Sequence, residues 1–227
     1  MDYIYLPTAN FAASPIELSS AARQHMAALR LRDNEPVTIL NGKGAVARCR
    51  ARLHGRNPVG LELDHVDIVD RGIPLGVIVG ILDNRDRQEF AVEKAVELGA
   101  DTILVTAMER SSHLRSPLTR LVAKAEAAMV QSGRAWMPRV DVCRSISEAL
   151  VRMDGYNILV GDAQGSQPQP DDVVGPVAVV VGPEGGLTAY EIEQLVQRRC
   201  TSWRIGQARL RAETAAIAML ATVAALR

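Results

Sequence analysis

The rhythm of apolar and polar positions changes once along the chain. The run Val37-Thr38-Ile39-Leu40 is rich in β-branched residues and leads into Asn41-Gly42-Lys43-Gly44. Asn-Gly between two strand-like runs is the composition of a tight hairpin turn. The returning run, Val46 to Leu53, alternates, with Ala47, Cys49, Ala51 and Leu53 on one face and Arg48, Arg50 and Arg52 on the other. Leu61 and Leu63 carry the pattern into a further strand. These elements predict a small β-barrel-like module, apolar inside, with a row of guanidinium groups outside.

The segment Asp70-Arg71-Gly72-Ile73-Pro74 punctuates the chain and places the expected boundary between domains 1–72 and 73–227. Beyond it, Leu75 to Leu82 is a continuous apolar run, the pattern of a strand buried on both faces. Residues 86–98 have helical periodicity through Phe90, Val92, Ala95 and Val96, and stop at Gly99. A second buried strand is predicted over 102–107, a helix over 117–131, and short strands over 157–160, 177–181 and 203–205. The proline-containing stretch 164–176 reads as a loop, and 213–226 as an alanine-rich helix apolar nearly all round. Strands alternating with helices predict an α/β domain with a parallel sheet.

A chain of 227 residues, 48% of them hydrophobic, fits one large or two small globular domains. No apolar stretch approaches the length of a membrane span, and Met1-Asp2-Tyr3 does not open a secretory signal. Cys49, Cys143 and Cys200 are far apart and odd in number, which fits neither a disulfide framework nor a metal site. The expectation is a cytoplasmic protein with reduced thiols, no metal and no membrane partner. Net charge is zero, with 26 basic and 26 acidic residues. Locally it is not even: Arg23, Arg30, Arg32, Lys43, Arg48, Arg50, Arg52 and Arg56 form one basic run, and Arg110, Arg115, Arg120, Lys124, Arg134 and Arg139 a second. Glu62, Asp64, Asp67 and Asp70 lie between them. Local patches of this kind suffice to bind a polyanion, although each is equally readable as a solvated face.

Candidate chemistry concentrates in two loops. The strand Val177–Val181 runs directly into Gly182-Pro183-Glu184-Gly185-Gly186, and Thr188 with Glu191 forms a capping box for the next helix. Ligands of parallel sheets bind beyond the carboxyl ends of strands, and glycines there let the backbone approach them. The loop is neither a dinucleotide nor a P-loop motif. It has no lysine for phosphate and carries Glu184, which suits a neutral or cationic ligand such as S-adenosylmethionine. The second loop, Ile205-Gly206 through Arg211-Ala212-Glu213-Thr214, also follows a strand and opens a helix. Glu213 and Thr214 are natural caps there, whereas Arg211 is suited to a phosphate or a base edge.

Taken together, these motifs resemble the RsmE family of 16S ribosomal RNA uridine N3-methyltransferases, of the knotted SPOUT superfamily. Val181 to Thr188 and Leu210-Arg211-Ala212-Glu213-Thr214-Ala215 resemble its two signature loops. Glu89-Phe90, Lys94 and Glu97-Leu98-Gly99 resemble its first helix, Glu109-Arg110-Ser111 the loop after its second strand, and His25, Leu29 to Arg32 and Asn41-Gly42 its PUA-like domain. The sequence departs from the family at Ala208, Arg209 and Val130. The resemblance implies a PUA-like RNA-binding domain followed by a SPOUT domain with a C-terminal trefoil knot, and a homodimer. It implies S-adenosylmethionine held by Leu159, Val160, Gly161, Val181, Gly182, Glu184, Gly185, Ile205, Gly206, Leu210 and Ala215. Arg211, Glu213 and Thr214 are the expected catalytic residues. Arg30, Arg32, Arg48, Arg50, Arg52, Arg87 and Arg110 are the expected contacts to 16S rRNA in the small ribosomal subunit. Another SPOUT RNA methyltransferase, or a non-catalytic assembly factor on the same fold, remains the alternative.

Overall fold

The computed structural model describes residues 3–12 and 15–227, apart from the side chains of Ala21 and His25. The expectation drawn from Met1 and Asp2, and the side chain of His25, therefore lie outside the described residues. By packing the chain forms two compact units, Met1–Arg71 with Met129–Met137, and Gly72–Ala128 with Pro138–Arg227.

The first unit contains β1 (Tyr3–Tyr5), β2 (Ile16–Glu17), α1 (Ser20–Ala28), β3 (Pro36–Leu40), β4 (Ala45–His54) and β5 (Asn57–Ile68). They form one sheet in the order β1-β3-β4-β5-β2, antiparallel except for the β1–β3 pair. The β3–β4 turn is built by Asn41, whose side-chain oxygen accepts from the backbone N–H of Lys43 (2.7 Å) and Ala45 (3.0 Å). The alternation read in β4 holds: Ala47, Cys49 and Ala51 are buried with Ile4, Ile16, Met26, Ile39 and Leu61. Burial, followed by the charge of Asp64, pushes the Cys49 thiol up to about 12, so it stays protonated and unreactive.

The outer face of β4 is not the free basic stripe expected. β5 runs beside it and sets a carboxylate against each arginine: Arg48 with Asp67 (3.6 Å), Arg50 with Asp64 (3.2 Å), and Arg52 with Glu62. The acidic stretch that follows the basic one in sequence is thus its cross-strand partner. The result is a charge-matched ladder.

The second unit is built from β6 (Leu75–Gly80), α2 (Arg85–Glu97), β7 (Thr102–Thr106), most of α3 (Leu118–Ser132), β8 (Arg139–Cys143), α4 (Ile146–Arg152), β9 (Asn157–Ser166), a 3₁₀ turn (Pro170–Val173), β10 (Val177–Val181), α5 (Ala189–Gln197), β11 (Thr201–Trp203) and α6 (Ala212–Leu226). All six strands are parallel, in the order β11-β9-β10-β6-β7-β8. Continuous apolar runs make β6 and β10 fully buried strands of this sheet. Three expectations are corrected. β8 and α4 are present without having been expected, β11 ends at the residue where a strand was expected to begin, and 164–176 is not wholly a loop. β9 continues through Ser166, which pairs with Trp203, and the Trp203 indole N–H donates to Asp172 (2.8 Å), fastening the 3₁₀ turn.

α2 and α3 are joined through Glu89, a buried carboxylate only 3% exposed. It accepts from Arg120 Nε and from the Ser116 hydroxyl (2.8 Å), with Arg85 Nε at 3.6 Å and Lys124 Nζ at 3.8 Å. The Arg120 hydrogen bond above all, helped by Ser116 and the nearby positive charges, outweighs burial and holds its carboxyl below the usual carboxylate range. A depressed folded-state value adds stability at pH values above the unfolded one, near 4.3, and that stability is lost as pH falls through the folded value. Glu89→Gln should therefore cost roughly 1–3 kcal/mol at neutral pH. Urea midpoints of the variant and the parent should converge as pH falls below about 4. A gap that is independent of pH would contradict this.

Candidate functional site

A cavity of about 770 Å³ opens at the carboxyl edge of β9, β10 and β11, where they lead into the loops before α5 and α6. Of the expected cofactor residues, Val160, Gly161, Val181, Gly182, Glu184, Gly185, Ile205, Gly206, Leu210 and Ala215 line it, and so does Arg211. Leu159 does not; strand alternation leaves it buried in the sheet at 1% exposure. The wall also includes Asp162, Ile192, Cys200 and Met219, which the sequence pattern did not single out.

The Gly182–Gly186 loop is braced from several sides. Gly80, the last residue of β6, lies under Pro183: a Cβ there would stand 2.6 Å from the Pro183 nitrogen. Gly186 has φ +73°, a left-handed conformation that favours glycine. The Glu184 carboxylate accepts from the Asp83 backbone N–H (3.3 and 3.4 Å), so it anchors the loop as well as lining the cavity. The capping box forms as expected, the Glu191 carboxylate accepting from Thr188 N–H (2.8 Å) and Thr188 Oγ1 from Glu191 N–H (3.3 Å). Glu191 is itself buried and takes the Glu109 N–H through its other oxygen (3.0 Å), tying the loop after β7 to α5. Arg110 in that loop donates to the carbonyls of Gly185 (3.1 Å) and Leu187 (3.3 Å). This expected RNA contact therefore also props the cavity loop.

The Arg211–Thr214 turn separates the expected catalytic residues. Arg211 is exposed on the cavity wall and is the N-cap residue of α6, with no side-chain capping bond. Neither Glu213 nor Thr214 is on the wall. Glu213 is 6% exposed, with Oε1 3.8 Å from Arg87 Nε and Oε2 buried without a partner among the described residues. It ties α6 to α2 instead of capping its own helix, and it occupies Arg87, which also lies 3.8 Å from Asp83. Thr214 is exposed, and so are Arg30 and Arg32 in the first unit. Burial raises the Cys200 thiol, and no group of residues suited to a metal ion occurs among the described residues.

The donor set fits a ligand with both apolar and polar parts, since the wall mixes aliphatic side chains and glycine backbone with the carboxylates of Asp162 and Glu184 and the guanidinium groups of Arg204, Arg209 and Arg211. At Gly206 no atom lies within 4 Å of where a Cβ would stand, so this glycine leaves open space on the wall.

The chain is similar to known proteins. A family model described as an RNA methyltransferase domain matches residues 71–224. A Mycobacterium bovis protein named ribosomal RNA small subunit methyltransferase E is 30% identical over 211 residues, covering 87% of this chain and 80% of its own. A Bacillus subtilis protein of the same name is 24% identical over 213 residues, covering 86% and 83%. Among solved structures, a ribosomal RNA small subunit methyltransferase E from Neisseria gonorrhoeae, bound to S-adenosyl methionine, superimposes with a TM-score of 0.86 at 29% identity. The match covers 98% of this chain and 96% of that one. The chain belongs to the RNA methyltransferase family, and within it to the ribosomal RNA small subunit methyltransferase E group.

Proposed function

We propose that the protein transfers a methyl group from S-adenosylmethionine to N3 of a uridine in 16S rRNA of the small ribosomal subunit. The cavity at the carboxyl edge of the parallel sheet carries this reading, in a chain of this family. The residues lining it from β9, from Gly182–Gly185 and from Ile205–Leu210 would hold the cofactor. When bound, S-adenosylmethionine supplies an electrophilic methyl group on a sulfonium. Val181, Leu210 and Ala215 provide apolar surface, and the glycine backbone provides close-approaching polar groups. Rigid bracing by Gly80, Glu191 and Arg110 keeps these walls in place, so that positioning contributes most of the acceleration.

Arg211 is assigned the catalytic role, steadying negative charge on a uracil that gives up its N3 proton, or holding the adjacent phosphate. Glu213, turned toward Arg87, is assigned to placing the start of α6 and hence Arg211; Thr214 has no assigned role. Residues 1–72 are proposed to be a PUA-like RNA-binding domain and 73–227 a SPOUT domain with a C-terminal trefoil knot. The protein is proposed to work in the cytoplasm as a homodimer. The largely apolar circumference of α6 supports the dimer: its buried residues are Ala212, Glu213, Ala216, Met219, Leu220 and Val223, while Ala224 and Ala225 near its end are exposed in this chain. The purified protein, given labelled S-adenosylmethionine and small subunits from a strain lacking the modification, should label one uridine at N3, read by nucleoside mass spectrometry. Label at another base or at a ribose oxygen, or no label, overturns the assignment.

A further inference from the structure

The arginines that sequence alone offers to RNA are largely engaged. Arg48, Arg50 and Arg52 face carboxylates on β5, Arg87 faces Glu213 and Asp83, and Arg110 holds the cavity loop. The cations around Glu89 are different. Arg85, Arg120 and Lys124 converge on this single buried carboxylate, each through one nitrogen, and the Ser116 hydroxyl already takes part of its accepting capacity. The only other carboxylate paired with these three among the described residues is Asp86, 3.5 Å from Arg85 Nε and 82% exposed. Three positive charges against two negative leave the cluster net positive. Its head groups are accessible, with side chains 51%, 47% and 39% exposed for Arg85, Arg120 and Lys124.

Arg120 and Ser116 both hydrogen-bond Oε1 of Glu89, while Arg85, 3.6 Å from Oε1, and Lys124, 3.8 Å from Oε2, stand at ion-pair distance with donors to spare. At these distances neither is a hydrogen bond, so both cations keep N–H donors that Glu89 does not use. The arrangement instead holds two guanidinium forks and an ammonium at one spot, a donor set that matches the oxygens of a phosphodiester. Its position agrees. The first half of α2 follows the carboxyl end of β6, and the first half of α3 follows that of β7, so the cluster is on the same edge of the sheet as the cavity. Both helices also turn their positive N-terminal ends to this edge.

We propose that Arg85, Arg120 and Lys124, gathered by Glu89, form a binding site for a backbone phosphate of the RNA substrate. The site fixes the strand beside the cavity without reading its sequence. This rests on the reading that the protein acts on RNA. The test is the double variant Arg85→Gln, Lys124→Gln, which leaves the hydrogen bonds of Glu89 to Arg120 and Ser116 in place. Binding to 16S rRNA, measured by filter retention across a salt series, should weaken about tenfold, and the slope of log affinity against log salt should fall by about 0.7–0.9 for each phosphate no longer neutralised. Cofactor affinity by calorimetry, and kcat at saturating RNA, should not change. RNA affinity and salt slope equal to the parent's would overturn the proposal. The charge-preserving pair Arg85→Lys, Lys124→Arg should bind as the parent does; if it binds as weakly as the neutral pair, packing explains the loss and the site falls. The binding measurement needs no methyl transfer. A parent that binds RNA through this cluster but modifies no uridine would refute the proposed reaction and leave the site standing.

Discussion

Replacing Gly80 with alanine is expected to weaken S-adenosylmethionine binding at least tenfold, about 1.4 kcal/mol or more, in a chain that still folds. The added Cβ would stand 2.6 Å from the Pro183 nitrogen, 2.7 Å from its Cδ and 3.1 Å from the carbonyl carbon of Gly182. These atoms are backbone or a closed ring, so no flexible side chain can swing aside. β6 cannot yield either. It is buried along its length and paired on both sides, with β10 and with β7, where Gly80 is in register with Thr106. The strain, about 1–3 kcal/mol for overpacking of this kind, passes to the loop that can move, Gly182–Gly186, which is a wall of the cavity. Calorimetric titration with the cofactor measures the loss, and urea unfolding checks that the sheet survives. A dissociation constant within twofold of the parent's would show that the wall absorbs the methyl without moving, and that the bracing argument is wrong.

Gly80 also shows where sequence reading ends. The strand Val177–Val181, the glycine loop after it and the Thr188–Glu191 capping box are all local signals, and the structure has each of them at its expected place. The contact that makes Gly80 necessary joins residues about a hundred positions apart, and nothing in Leu75–Leu82 distinguishes this glycine from Gly76. The arginine stripe misled for a similar reason. Alternation within β4 puts Arg48, Arg50 and Arg52 on one face correctly. Whether that face is basic depends on the partner strand, whose register includes irregularities at Arg48/Cys49 and Arg52/Leu53. Asp67, Asp64 and Glu62 are visible in the sequence as an acidic run but not as the partners of those arginines. β8 and α4 escape because their signals are weak: β8 is an edge strand with the charged residues Arg139 and Asp141 in it, and α4 is only seven residues long. Glu213 is legible as a residue in the first turn of α6. That it faces Arg87 on α2 instead of capping its own helix is tertiary information.

Arg211→Ala is expected to lower kcat for methyl transfer by about 10²–10³-fold, the loss measured when one charge-stabilising group is removed from a preorganised site. Cofactor affinity should stay within a few-fold of the parent's. The structure makes this a clean substitution. Arg211 starts α6 through its backbone, its carbonyl accepting from the Ala215 N–H at 2.8 Å, and its side chain makes no capping bond. Its φ of −69° and ψ of 154° are open to alanine. The helix therefore begins at the same residue, Glu213 keeps its partner on α2, and only the exposed guanidinium leaves the wall. If that group steadies a uracil anion, single-turnover transfer should slow at saturating RNA and cofactor. Arg211→Lys, which keeps the charge but not the planar fork, should recover part of the rate. If it holds a phosphate instead, the loss should move into KM for RNA and kcat should be spared. A loss confined to cofactor affinity would place Arg211 among the cofactor contacts, and would leave the uracil with no charged partner named from this turn.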